Sequence, residues 1–164
     1  MVVRAVAFLS LFALLQLGWQ SLRGTAVERL IIHGCTVEPA AHLVNWLTPS
    51  VHARAVDFSL RAAGGSLNIL NGCDGTEALF LLSAALAVAP ISLRQRVTGL
   101  LIGMAVVFLV NQARIVLLFY AYRASHQWFD SLHATITPIG VVLLVSAYFY
   151  VWLVYSSRRL APPC

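Results

Sequence analysis

A cysteine flanked by glycines is the first feature of this chain that could do chemistry. Cys73 lies in the run Gly72-Cys73-Asp74-Gly75, directly before an apolar segment. Asp74 and Glu77 have the spacing of a capping box with Asp74 as the N-cap, so Cys73 is predicted to precede a helix N-terminus. The free amides and the dipole of that terminus stabilise anions and would favour the thiolate. The small neighbours of Cys73 would leave its sulfur open to a substrate.

An arginine within an apolar run is the second such feature. Arg114 interrupts the apolar residues 106–119, and a charged residue inside a membrane span marks a functional site by default. Asn111 lies three residues earlier and therefore on the same helical face. The two side chains form one polar stripe that must face protein rather than lipid. The simpler alternative, an arginine that reaches up to lipid head groups, leaves Asn111 without a role.

A histidine before the last apolar segment is the third feature. His133 stands directly before Ala134, and His126 in the same short loop is its rival as a base. Thiol acyl transfer requires a nucleophile, a base and a group that stabilises the developing oxyanion. Cys73, His133 and Arg114 could supply these three groups if the fold brings them together.

The composition indicates which solvent surrounds the elements that carry these residues. Of 164 residues, 60% are hydrophobic and 10% are charged, whereas soluble domains have about 25% charged residues. We therefore predict an all-α membrane protein with a single domain. All eleven cationic residues are arginines, and they are dispersed along the chain. Membrane lipids explain the net charge better than nucleic acid, which requires a clustered basic stripe.

Four apolar segments have about the 17–25 residues that a membrane-spanning helix needs. They cover residues 4–22, 77–93, 97–122 and 134–155. The first of them could also be a cleaved signal peptide, because small residues follow it at 24–26. We predict about four transmembrane helices, with an extracytoplasmic segment, residues 23–75, between the first and the second.

The orientation follows from positive charge in short loops, which marks the cytoplasmic side. The arginines concerned are Arg94 and Arg96 between the second and third spans, and Arg158 and Arg159 after the fourth. This assignment uses none of the chemistry-bearing residues. It nevertheless places Cys73, Arg114 and His133 on three different spans at the same outer boundary.

The extracytoplasmic segment is predicted to have structure of its own. Pro39 suits a first helical position, and the apolar residues that follow it up to Leu47 recur with helical spacing, which predicts an amphipathic helix. Apolar and polar residues then alternate over 56–61 and again over 67–69, with Ala-Gly-Gly at 63–65 between them. This pattern predicts a β-hairpin that leads the chain directly to the cysteine.

Three blocks of the sequence together resemble the exosortase/archaeosortase family of membrane cysteine transpeptidases. They are Asn71-Gly72-Cys73-Asp74-Gly75-Thr76-Glu77-Ala78, Asn111-Gln112-Ala113-Arg114-Ile115 and Leu132-His133. The family pattern is a cysteine with small residues at a helix start, an N-x-x-R motif in a later helix and a histidine that opens the following one. The resemblance covers residues 55–155, which is most of the chain.

The resemblance implies an enzyme of the inner (cytoplasmic) membrane with its active site on the extracytoplasmic face. Its partner would be the C-terminal sorting tail of an exported protein: a short motif, a hydrophobic helix and a basic cluster. Cys73 would be the nucleophile, His133 the base, and Arg114 the group that stabilises the thiolate or oxyanion. An amine, a lipid or water would resolve the thioester, and neither a metal nor another cofactor is required.

Other interpretations of the same residues stay open from the sequence. A non-catalytic subunit of a transport or assembly system could use Asn111 and Arg114 to bind a lipid or an anionic substrate. Cys35 and Cys73 could instead form a structural disulfide in an oxidising compartment. A metal site built on Cys73 and His133 is disfavoured, because the chain lacks the short ligand spacing typical of such sites.

Overall fold

The computed structural model describes residues 2–63, 65–69 and 72–158. Its α-helices are α1 (Val2–Ser21), α2 (Ala26–Arg29), α3 (Glu38–Leu47), α4 (Thr76–Val88), α5 (Leu93–Ala124), α6 (His126–Ser131) and α7 (Thr137–Arg158). Its strands are β1 (Arg54–Val56), β2 (Ser59–Ala62) and β3 (Gly65–Asn68). Three residues used in the sequence-based predictions, namely Gly64, Asn71 and Arg159, lie outside the described residues.

Three helices in the described part of the chain are long and apolar enough to cross a membrane. The first is α1 and the second is α5, which has 32 residues. The third runs without a break over 33 residues from His126 to Arg158, through α6, the π-helical turn Leu132–Ile136 and α7. The prediction of a helical membrane protein is confirmed at this level.

The second predicted span, residues 77–93, is a shorter helix than the hydropathy of the sequence indicates. Helix α4 has 13 residues and ends at Val88, whereas the apolar segment was predicted to continue to residue 93. Pro90 ends the helix, because the residue before a proline favours extended backbone, and Ala89 has φ −64° and ψ 144°. At 1.5 Å per residue, α4 is about 20 Å long, against about 30 Å for the hydrocarbon core of a bilayer.

Helix α4 lies at the centre of the bundle and packs against α1, α5 and α7. Glycines on α5 allow the close approach of its neighbours: a Cβ at Gly99 would collide with Trp152, and one at Gly103 would collide with Leu82. At the end of the bundle that carries Arg94, the Gln95 side chain donates to the Ser156 carbonyl over 3.1 Å. The start of α5 and the end of α7 therefore lie side by side.

The segment between α1 and α4 covers the opposite end of the bundle. Its helix is longer than predicted, since a continuous helical path runs from Ala26 through the π-helical residues Leu30–Val37 to Leu47. Pro39 therefore does not begin a new helix, as the sequence suggested. It occupies the junction at which the wider π-helical turns give way to α3.

The predicted hairpin is a three-stranded antiparallel sheet with the strand order β1-β2-β3. The predicted strand over 56–61 is divided by a turn at Asp57, whose φ of 51° is left-handed. Leu60 and Leu67 face each other across β2 and β3 and are buried in one core with Phe119 of α5. The sheet thus anchors the chain on α5 just before the cysteine.

Candidate active site

The sulfur of Cys73 lies at a junction of three elements. Its Sγ is 3.6 Å from Nδ1 of His133 and 3.6 Å from Nη2 of Arg114, both within hydrogen-bonding range of a large sulfur atom. Cys73 belongs to the loop before α4, Arg114 to α5 and His133 to the turn before α7. The structure therefore brings together the three residues that the sequence analysis selected from separate segments.

His133 is held by its own helix rather than placed at a helix start. The sequence predicted that it opens the last span, but the helix begins at His126, and His133 lies inside the π-helical turn Leu132–Ile136. The Phe129 ring stacks on the His133 imidazole at 5.3 Å with 11° between the planes. This contact fixes the plane of the imidazole. The rival His126 instead lies against Tyr122, with the ring centroids 4.9 Å apart.

The Arg114 guanidinium donates hydrogen bonds to three different groups. Its Nη1 donates to the Gly72 carbonyl over 2.9 Å, and its Nε donates to the Thr137 hydroxyl over 3.0 Å, while Nη2 points to the sulfur. The Thr137 hydroxyl in turn donates to the Leu132 carbonyl over 2.9 Å. Arg114 is 8% exposed, so it does not reach out to lipid head groups. It links the cysteine loop to the turn that carries the histidine.

Asn111 completes the hold on the cysteine loop. Its Nδ2 donates to the Cys73 carbonyl over 3.2 Å, next to the Gly72 carbonyl that Arg114 binds. The N-x-x-R spacing puts both donors on one face of α5, so that they can bind two successive carbonyls of an adjacent loop. Asn111 therefore has a role in holding the cysteine loop, which the alternative of an Arg114 side chain that reaches lipid head groups did not explain.

The loop around the cysteine depends on glycine at two positions. Gly72 has φ +89° and Gly75 has φ +84°, a left-handed conformation that glycine adopts without steric cost. At Gly75 there is a second constraint, because a Cβ would lie 3.0 Å from Cγ of Asn111. Position 75 must therefore have no side chain if Asn111 is to reach the Cys73 carbonyl.

The start of α4 differs from the predicted capping box. The N-cap is Gly75 rather than Asp74, so Cys73 lies two residues before the cap. The Asp74 carboxylate accepts hydrogen bonds from the Thr76 hydroxyl at 2.9 Å and from the Thr76 amide at 3.4 Å. Asp74 thus supports the loop through Thr76, which the sequence spacing did not indicate.

The electrostatic surroundings of Cys73 favour the thiol over the thiolate. Burial raises the pKa of the Cys73 thiol above its ordinary value, the Arg114 guanidinium lowers it, and the Asp74 and Glu77 carboxylates raise it further. Burial is the largest of these effects. The direction of this pKa shift is opposite to the expectation that the helix N-terminus favours the thiolate.

The disulfide alternative finds no support in the structure. Cys35 and Cys73 are both free; Cys35 is exposed, whereas Cys73 is buried. The sulfur of Cys73 is directed to His133 and Arg114.

A small cavity adjoins the site on the side of α1, α4 and α7. Its volume is about 180 Å³, and Gly72, Gly75 and Arg114 line it together with Phe12 and Pro138. The cavity gives a small group access to the guanidinium beside the sulfur. The sequence analysis found neither this cavity nor the positioning roles of Phe129 and Thr137. The spacing of Thr137, one turn after His133, was the available signal.

Comparisons of the chain with protein-family models, with curated proteins and with solved structures find no match. The function must therefore be inferred from the residues themselves.

Proposed function

We propose that this protein is a membrane-embedded cysteine transpeptidase or peptidase of the exosortase/archaeosortase type. The observation that carries the proposal is the distance of 3.6 Å from the Cys73 sulfur to both His133 Nδ1 and Arg114 Nη2. A thiol beside an imidazole and a fixed cation provides the nucleophile, the base and the stabilising charge that acyl transfer uses. The substrate class, a C-terminal sorting tail of an exported protein, follows from the family resemblance.

The reaction proceeds through a thioester on Cys73. His133 takes the thiol proton as the sulfur attacks the carbonyl carbon of the scissile peptide. Arg114 and the first-turn amides of α4 stabilise the oxyanion of the tetrahedral intermediate. His133 then returns the proton to the leaving amine as the C–N bond breaks. An amine or water attacks the thioester and releases the acyl group, and the thiol is restored.

The raised pKa of Cys73 fits this division of roles. A buried thiol that rests in its protonated form needs a base within reach, and the imidazole of His133 meets that need. Arg114 opposes the effect of burial, so the thiolate that forms during attack is stabilised by the guanidinium. His133 and Arg114 therefore act on the same sulfur at different moments.

The proposed arrangement in the inner membrane has four spans, with α4 as the short second one. Arg94 lies 20 residues before Arg114 on α5, which corresponds to about 30 Å of helix, close to the thickness of the hydrocarbon core. With Arg94 on the cytoplasmic side, the site lies at the extracytoplasmic boundary. A hydrophobic tail helix could then approach from the bilayer and present its peptide bond there.

The test is the processing of a co-expressed substrate that carries a C-terminal sorting tail. Cys73→Ala is expected to abolish cleavage, because the thioester cannot form. Cys35→Ala is the matched control, since Cys35 is an exposed free cysteine, whereas Cys73 is buried, and this variant should cleave normally. Unchanged cleavage by Cys73→Ala would show that the assignment is wrong.

Arg114→Lys tests whether the guanidinium group itself is needed or only its positive charge. A lysine keeps the positive charge, but its single nitrogen cannot take the three separate positions from which Nε, Nη1 and Nη2 donate to Thr137, Gly72 and the sulfur, so processing is expected to fail. A non-catalytic transport or assembly subunit predicts the opposite pattern. It would tolerate Cys73→Ser, and its buried Cys73 would resist thiol reagents that do not cross membranes.

A further inference from the structure

A second and larger cavity lies on the other side of the cysteine loop. Its volume is about 850 Å³, and it is lined by residues of α1, α4, α5 and the helix that covers the bundle. Most of its wall is apolar, formed by residues such as Leu14, Trp19, Phe80 and Phe108. The volume is in the range of about 300–1,000 Å³ that is typical of small-molecule sites.

The polar end of this cavity contains hydrogen-bond acceptors without donors. Asn111 Oδ1 and Gln112 Oε1 are buried and have no hydrogen-bond partner among the residues that the structure describes, and the two residues are 3% and 2% exposed. The orientation of each amide is set by its nitrogen, because Asn111 donates to the Cys73 carbonyl and Gln112 donates to the Thr36 carbonyl. Both oxygens are therefore left available. A buried acceptor without a partner costs free energy.

A buried carboxylate lines the same cavity. Asp74 is 7% exposed, and within the described residues no arginine or histidine nitrogen lies within 4 Å of it. In the described part of the chain, its hydrogen bonds come from Thr76 alone, which leaves lone pairs of the carboxylate free. The polar end thus offers two neutral acceptors and one negative charge. Its complement is a cation with several N–H donors.

We propose that this cavity binds a membrane lipid whose head group carries a primary ammonium. An ammonium has three N–H donors, which suit Asp74, Asn111 Oδ1 and Gln112 Oε1, and an acyl chain suits the apolar wall. A lipid is the occupant that this chemistry selects, because the cavity lies between α1 and α5, two of the helices that are long and apolar enough to cross a membrane. The site is separate from the small cavity beside Arg114 and does not depend on the proposed enzyme activity.

The first experiment compares two lipids of the same charge, one with an ammonium that has three N–H donors and one with a bulkier trimethylated ammonium that has none. The protein is purified from vesicles with equal amounts of phosphatidylethanolamine and phosphatidylcholine of the same chain length, and its bound lipid is identified by native mass spectrometry. The trimethylated ammonium of phosphatidylcholine has the charge but no N–H. We expect about tenfold preferential retention of phosphatidylethanolamine, as charge-assisted hydrogen bonds in a buried site provide. Equal retention would overturn the proposal.

An anionic lipid provides the opposite outcome. Phosphatidylglycerol added as a third component has a negative head group, which the Asp74 carboxylate repels. We expect it to be the least retained of the three. Its preferential retention would contradict the proposal and would favour a site for anionic lipids.

Variants then locate the lipid in the cavity. Gly18 lines the cavity, and a Cβ at this position meets no atom of the described residues within 4 Å, so Gly18→Leu adds a side chain whose Cβ has room. Gly140→Leu is the matched control on α7, where a Cβ also meets no atom within 4 Å. We expect Gly18→Leu to lower the amount of bound lipid at least about fivefold and Gly140→Leu to leave it unchanged; equal binding by both would refute the location.

Gln112→Leu tests the polar end. It removes one unpaired acceptor, and we expect the preference for phosphatidylethanolamine over phosphatidylcholine to fall several-fold. An unchanged preference would exclude Gln112 from the site. Each readout is bound lipid, so a loss of substrate processing would not mimic any of these results.

Discussion

The charge of Arg114 should control the reactivity of Cys73, and the effect is large enough to measure. Arg114→Gln keeps amide donors but removes the positive charge 3.6 Å from the sulfur. At this distance, a unit charge attracts a thiolate by about 1 kcal/mol in water-like surroundings and by about 4 kcal/mol at an effective dielectric constant of about 20. The thiolate population at a fixed pH should therefore fall by about tenfold to a thousandfold.

The assay is the rate of alkylation of Cys73 by iodoacetamide as a function of pH. The background carries Cys35→Ser and Cys164→Ser, which leaves Cys73 as the single thiol. Because the thiolate is the reacting species, the Arg114→Gln profile should move to higher pH, and labelling at neutral pH should slow. Circular dichroism and thermal unfolding check that the variant retains its helices.

Arg123→Gln is the matched control for a loss of charge. Arg123 is on the same helix, where it lies over the Phe119 ring and donates to the Ala63 carbonyl. It should leave the alkylation profile unchanged. If the alkylation profile of Arg114→Gln coincides with that of the background protein, in which Arg114 is kept, the guanidinium does not stabilise the thiolate. The proposed role of Arg114 would then be refuted.

Three further predictions concern the same site. Gly75→Ala should lower the free energy of unfolding by about 1–3 kcal/mol and by more than Gly72→Ala, because among the described residues a Cβ at Gly75 meets atoms within 4 Å and one at Gly72 does not. Equal losses of thermal stability would contradict the steric argument. His133→Ala should reduce substrate processing by about 10²–10⁴-fold, while His126→Ala should not, and a reversal of the two would identify the other base. With Arg114 and His133 in place, the alkylation rate of Cys73 should rise at a higher pH than that of an ordinary free cysteine, since burial raises the pKa of the Cys73 thiol. A rate that rises at a lower pH than in an ordinary free cysteine would exclude this effect of burial.

The choice of residues could be made from the sequence because polar groups are rare in an apolar chain. An arginine inside a span must have a partner, and the i, i+3 position of Asn111 places both on one face. The structure gives the reason for that spacing, because Asn111 and Arg114 donate to two successive carbonyls of the cysteine loop, those of Cys73 and Gly72. Rarity and helical geometry were therefore enough to select Arg114 and Asn111, whereas Cys73 was selected by its flanking glycines and its position before a predicted helix.

The local backbone was less accessible to sequence reasoning. Asp74 has the type and spacing of an N-cap, but Gly75 takes that position because it adopts the left-handed conformation more readily. The π-helical turns at Leu30–Val37 and Leu132–Ile136 leave no distinct signal in apolar periodicity. As a result, the helices that carry Pro39 and His133 begin earlier than predicted. Hydropathy likewise extended α4 past Pro90, where backbone sterics end it.

The separation of the site residues along the chain has a consequence for synthesis. The sulfur and its imidazole are 60 residues apart, so translation at about 5–20 residues per second delivers His133 about 3–12 s after Cys73. During that interval the nascent chain has a thiol without its base. In the proposed mechanism, acyl transfer can begin only after the helix that carries His133 has been made and has brought the imidazole to the Cys73 sulfur.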